Sequence, residues 1–199
     1  MLLPALALAR KDREREELDA DDFEFVLRAT RDVLEELGAV EQERYAEKAA
    51  ATPPKAVLLA CPARDEADEV ALLMFARLLA PQGYKVEVIS SRILAAEVLA
   101  RVGNECPTVV LVGSLPPGGL AQARYLCKRI KSQCPTVKVA VGRWGEKENL
   151  ERMQKRLQAS GADLVAASLA DTRTQVVPLL QVAATAEPAE PELAPAGKR

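Results

Sequence analysis

Between residues 57 and 182 the sequence repeats one unit five times: a short apolar run, then a stretch whose apolar residues return every three or four positions. The runs cover 57–60, 85–89, 109–112, 137–141 and 164–167; the periodic stretches cover 66–79, 92–102, 118–130, 147–157 and 172–182. A continuously apolar strand has to be covered on both faces, and a parallel sheet wrapped by its own crossover helices does this. Strand length also fits, since the runs are too short for helices. The expected fold is α/β: an open, doubly wound, parallel five-stranded sheet with helices on both faces, of the flavodoxin-like kind.

A chain of 199 residues holds one such domain plus appendages. The domain is expected over 55–183. Ahead of it, residues 1–38 begin with an apolar strip from Leu2 to Ala9, too short to span a bilayer. Three roles are open to that strip: a buried first turn, a partner-docking surface, or the exit of a membrane segment lying upstream. A charge run at 11–17 follows, and then Asp19, Asp21 and Asp22, acids suited to the positive end of a helix. Phe23, Val26, Leu27, Thr30, Val33, Leu34 and Leu37 form the apolar stripe of that N-terminal helix, and Gly38 stands where a terminator is expected. The stripe needs a cover, either the sheet domain or the same helix in a second copy, which would make a homodimer or oligomer. Residues 39–54 read as a linker, helical at most in its first half, and 184–199 as a disordered tail with Leu193 its only large apolar residue.

Composition removes several function classes. The chain has no histidine, so Ser-His and Cys-His nucleophile pairs, histidine metal sites and imidazole proton shuttles are absent. A net charge of −2 and 4% aromatic residues supply neither the field nor the stacking surface that nucleic acid needs, so it is not an expected partner. The four cysteines, Cys61, Cys106, Cys127 and Cys134, form no CxxC pair and imply neither a zinc site nor a disulfide framework. Cys61 is the best nucleophile candidate, though no histidine base exists to assist it. The expectation is a chain without catalytic residues, cofactor or metal.

In an open α/β sheet ligands bind beyond the carboxyl ends of the strands, where the strand order reverses. That edge is made here by residues 61–68, 113–119 and 142–145. From these loops the candidate ligand-binding residues are Arg64, Asp65, Ser114, Gly118, Gly119, Arg143 and Trp144, facing an unknown small molecule or anion. The loop Pro116-Pro117-Gly118-Gly119 opens a helix whose first amides are positively polarised, with Arg64 and Arg143 as counter-charges. A phosphoreceiver needs an aspartate ending the third run and an acidic pair ending the first, where this chain has Gly113-Ser114 and Cys61-Pro62. A flavin-phosphate loop needs hydroxyls that residues 61–68 lack. Neither G-x-G-x-x-G nor Gly-Lys-Ser/Thr occurs.

Two resemblances add to this reading. The pattern Asp65, Ser114 and Gly142 resembles the DxHxxG, SxL and GG signature of a cobalamin-binding domain, with Ala67 at the histidine position, Val70 at the next glycine and Arg143 at the second. That resemblance implies a corrinoid or other cofactor carrier that lacks the histidine ligand. The stretches LLPALALARKDREREELDADDFEFVLRATRDVLEELG, ARYLCKRIKSQCPTVKVAVGRW and GADLVAASLADTRTQV resemble the cytoplasmic C-terminal region of long members of the autoinducer-2 exporter family. This second resemblance covers nearly the whole chain. It implies a soluble regulatory or ligand-sensing domain on the cytoplasmic side of a bacterial inner membrane, partnered by the membrane-embedded part of the parent transporter. A small cysteine-dependent enzyme is the remaining alternative.

Overall fold

The computed structural model describes residues 2–49, 57–146 and 149–185. Five strands, β1 (Val57–Pro62), β2 (Lys85–Val88), β3 (Val109–Ser114), β4 (Lys138–Arg143) and β5 (Leu164–Ala166), form one sheet in the order β2-β1-β3-β4-β5. Every pairing is parallel. The helices are α1 (Leu2–Glu14), α2 (Ala20–Ala49), α3 (Glu66–Leu79), α4 (Ala95–Glu105), α5 (Leu120–Gln133), α6 (Leu150–Gln158) and α7 (Leu169–Thr185). Among the described residues no helix is long and apolar enough to cross a membrane.

Alternation along the strands divides the core into two layers. Leu59 and Cys61 of β1, Val110 and Val112 of β3, and Val139 and Val141 of β4 face α4, α5 and α6. Their neighbours Leu58, Ala60, Val109, Leu111 and Ala140 face α3 and α7. Burial on both sides is what writes an apolar run into β1 and β3, whereas the edge strand β2, half-buried at most, admits Lys85 and Glu87. Helix α3 starts where its sequence says it should. Asp65 caps it by accepting the Ala67 amide at 3.2 Å, and Glu66, Asp68 and Glu69 lie in its first turn.

The N-terminal segment forms an outer layer on α3. Asp19 accepts the Asp22 amide at 2.8 Å and starts α2 at the expected point. Leu27, Thr30 and Leu34 are buried, and Phe23 packs beside them against the α3 layer. Arg31 pins the two helices, reaching Glu66 at 2.9 Å and Glu69 at 3.2 Å. The stripe is thus narrower than expected, for Val33 and Leu37 are exposed. Its buried half is covered by the chain's own α3.

Gly38 does not end α2, which continues to Ala49 through the first half of the expected linker. The Arg77 guanidinium of α3 lies over Gly38, on the side of α2 where a Cβ would stand. The remaining linker residues 50–54 and the tail from 186 lie outside the described residues. The strip from Leu2 to Ala9 is the first half of α1, with Leu6 fully buried and Leu2 and Leu3 packed on the α3 layer.

Candidate functional site

The strand order reverses between β1 and β3, so the crevice opens where the loops after these strands part. Two residues at the ends of β3 and β4 lie side by side there, because Ser114 and Arg143 are register partners. Ser114 is fully buried and accepts from Arg143 Nη1 at 2.8 Å. The same nitrogen donates to the Leu115 carbonyl at 3.3 Å and the Gly118 carbonyl at 2.5 Å, while Nη2 reaches Glu146 at 3.4 Å. Arg143 is 4% exposed, and burial lowers its proton affinity against the pull of Glu146 and Asp68.

Arg143, expected as a counter-charge to an anion, is engaged by the chain's own groups. Its guanidinium gathers carbonyls of the β3 loop, which turns the loop's negative dipole ends inward. Gly118 and Gly119 make the turn possible, with φ of 75° and 72°. A Cβ on Gly119 would meet Ser114 Oγ at 2.6 Å, and one on Gly118 would collide with the Arg64 guanidinium.

The crevice is filled from the N-terminal side. Arg10 of α1 is 2% exposed and projects its guanidinium between the β1 and β3 loops. Nη1 lies 2.5 Å from Asp68 Oδ1 and donates to the Leu115 carbonyl at 3.1 Å; Nη2 lies 2.7 Å from Asp65 Oδ2. Asp68, with no exposed surface, also accepts the Leu115 amide at 2.8 Å and the Arg64 amide at 3.0 Å. One carboxylate therefore joins α1, the β1 loop and the β3 loop. Burial raises the Asp68 carboxyl above its ordinary range, opposed by the attraction of Arg10 and the Leu115 amide. At the rim, Arg64 links Asp65 at 3.0 Å to Glu14 at 2.8 Å, so α1 is held at two points four residues apart. The Nε atoms of Arg10 and Arg143 are buried with no hydrogen-bond partner.

Arg64, Asp65, Ser114, Gly118, Gly119 and Arg143 thus meet at one place, as expected. Trp144 does not join them. Its indole is fully buried, stacks on Phe75 at a centroid distance of 6.0 Å and donates from Nε1 to Thr172 Oγ1 at 2.8 Å. Two essential members were missed, Arg10 and Asp68. Each had a signal. Asp68 stands four and seven residues before Leu72 and Phe75 on the buried stripe of α3, and Arg10 stands four after Leu6 on that of α1. A charge on an apolar stripe needs a partner.

Cys61 is shut away from solvent and from the crevice loops. It is fully buried on the α4 side of β1, and burial pushes its thiol up to about 12 despite the more distant Arg101. Among the described residues no group of three or more His, Cys, Asp or Glu side chains is placed to hold a metal ion. Open space lies on the α4–α5 side of the β1 loop, in a cavity of about 160 Å³ lined by Arg64, Ser90, Ser91, Ile93, Gln122 and Tyr125 among others. Of the expected ligand residues, Arg64 alone lines it.

No family model matches the chain, and no curated protein matches it. Solved structures do. A cobalamin-binding protein from Desulfitobacterium hafniense DCB-2 aligns at 13% identity and a TM-score of 0.56, covering 89% of this chain and 96% of its own. A CheY-like protein (TadZ) from Pseudomonas aeruginosa PAO1 aligns at 14% identity and a TM-score of 0.46, covering 67% and 98%. A signal receiver domain from Vibrio parahaemolyticus aligns at 10% identity and a TM-score of 0.45, covering 64% and 92%. The first likeness is one of fold: the chain is a flavodoxin-like α/β domain with the architecture seen in a cobalamin-binding protein.

The residues of this chain do not fit a cobalamin held in the histidine-ligated mode. Ala67, at the ligand position, has no donor side chain and is buried in the α3 layer. A Cβ on Gly142 would run into the indole of Trp144, so the space above the end of β4 is filled by the protein itself. Ser114 is engaged by Arg143.

Proposed function

We propose that this chain is a non-catalytic regulatory domain of a membrane transporter of the autoinducer-2 exporter type, and that α1 is the element through which it is coupled. The observation that supports the reading is Arg10, a cation of α1 seated in the crevice that this fold uses for ligands. A domain whose own N-terminal helix fills that crevice is suited to two states, α1 docked and α1 released, with the buried ion pair as the latch. The sequence likeness of residues 2–38 to the segment after the last membrane helix of such transporters supplies the partner. Pro4, Ala5 and Leu8 are exposed on docked α1, so an apolar strip faces outward.

The test is efflux of autoinducer-2 from cells carrying the parent transporter, wild type against Arg10→Ala, at matched membrane levels. Coupling between sites of this kind is worth a change of about fivefold or more in rate or apparent affinity. Identical efflux from the two proteins would overturn the proposal.

A further inference from the structure

Helices α4 and α5 are neighbours in the layer opposite α1, and each ends on a cysteine. Cys106 caps α4 in the left-handed conformation, with φ of 38°, and is exposed. Cys134 caps α5 and is buried. The two lie 28 residues apart in sequence with their sulfurs 3.0 Å apart. Cys106 Sγ also contacts the Gly103 carbonyl at 3.3 Å and Cys134 Sγ the Val102 carbonyl at 3.5 Å, so both thiols are held at the end of α4. A disulfide bond is about 2.05 Å long, so closure asks for a shift of only about 1 Å.

We propose that Cys106 and Cys134 form a reversible dithiol–disulfide site whose oxidant is a peroxide. The exposed Cys106 reacts first. Its thiolate attacks one peroxide oxygen, the O–O bond breaks, and the departing hydroxide takes a proton to leave as water, giving a sulfenic acid. Cys134 then loses its proton, and its sulfur displaces the sulfenic hydroxyl, which leaves as a second water. Two electrons pass from the sulfurs to one peroxide, and a dithiol reductant returns them.

The order of attack follows from the surroundings. The Cys134 thiol, donating to Cys106 across the 3.0 Å contact and buried, is raised above its ordinary value, so the exposed Cys106 is the one that meets the peroxide. Cys61 and Cys127, each pushed up to about 12 by burial, do not compete. The site lies at the C-terminal ends of α4 and α5, away from the carboxyl-edge crevice, and it stands independently of the regulatory proposal.

The experiment is exposure of the reduced, folded chain to hydrogen peroxide, followed by intact mass, peptide mapping and thermal unfolding. The expected product is lighter by two hydrogen atoms and carries a Cys106–Cys134 cross-link. Its unfolding temperature is higher by about 5–10 °C, and dithiothreitol reverses the change. Cys106→Ser, at an exposed position, should fold and give no intramolecular cross-link. Addition of two or three oxygens to Cys106 with Cys134 left free would overturn the proposal. So would a cross-link that survives in Cys106→Ser.

Discussion

Arg10 and Asp68, 58 residues apart in sequence, meet at 2.5 Å with both side chains shut off from solvent. Asp68→Ala removes the partner of Arg10 and the acceptor of the Leu115 and Arg64 amides together. Breaking a buried pair from one side leaves an uncompensated charge and costs about 3–5 kcal/mol. Urea unfolding at neutral pH should show a loss of that size. A loss under about 1 kcal/mol would mean that the pair is not buried. Replacing both residues at once, as Arg10→Met with Asp68→Leu, should cost much less, because no charge is stranded.

The α2 stripe makes a second, separate prediction. Leu27 and Leu34 are 5% and 6% exposed against the chain's own α3, so each truncation to alanine should cost about 2–4 kcal/mol. Leu27→Asp with Leu34→Asp should lower the unfolding temperature. If light scattering showed instead a dimer turning into an equally stable monomer, a second copy of α2 would be the true cover.

The fold was legible because burial on both faces leaves a plain trace: the inner strands read as apolar runs and the covering helices as a three- and four-residue period. The start of α3 follows from Asp65 and the three acids after it, since a capping aspartate ahead of first-turn acids has one natural reading. The crevice was legible only in its loops. Arg10 follows the apolar strip and opens a run of charges, so it reads as solvated; only the helical step from Leu6 turns it inward. Asp68 looks like one more first-turn acid until the stripe of Leu72 and Phe75 is extended back to it. Trp144, next to glycine in a turn, reads as a rim residue although its ring folds back onto Phe75. Cys106 and Cys134 carry no motif at all, because their meeting depends on the packing of α4 against α5.

The single tryptophan makes its own environment measurable. Trp144 is fully buried, so its emission should be blue-shifted in the folded chain and move red in one step with loss of the sheet. Trp144→Ala opens a cavity over Gly142 and removes the donor to Thr172 Oγ1, at a cost of about 3–5 kcal/mol. Wild type passed over a desalting column with hydroxocobalamin should emerge without the corrin absorbance. Retained corrin would contradict the reading that Trp144 fills that space.

Acid sensitivity should trace in part to Asp163. Burial would raise its carboxyl, but the ammonium of Lys131 at 2.8 Å and the Val139 amide at 2.7 Å take it below the usual range. A carboxyl with a lowered folded-state pKa adds stability above its unfolded value of about 3.9, and that stability fades as pH falls through the folded value. Asp163→Asn should therefore be less stable than wild type at pH 7 and converge on it below about pH 4. A constant gap across that range would contradict the assignment.

The central claim is that α1 is a latch in the crevice and not a fixed part of the core. Amide hydrogen exchange at neutral pH, read separately for Leu2–Glu14 and for β1 and β3, tests it most directly. In wild type, α1 should exchange at least about tenfold faster than the two strands, through local opening. Arg10→Ala should speed α1 by a further factor of about ten or more while the strands change far less. Exchange of α1 in step with β1 and β3, in both wild type and variant, would show one cooperative unit and contradict the account.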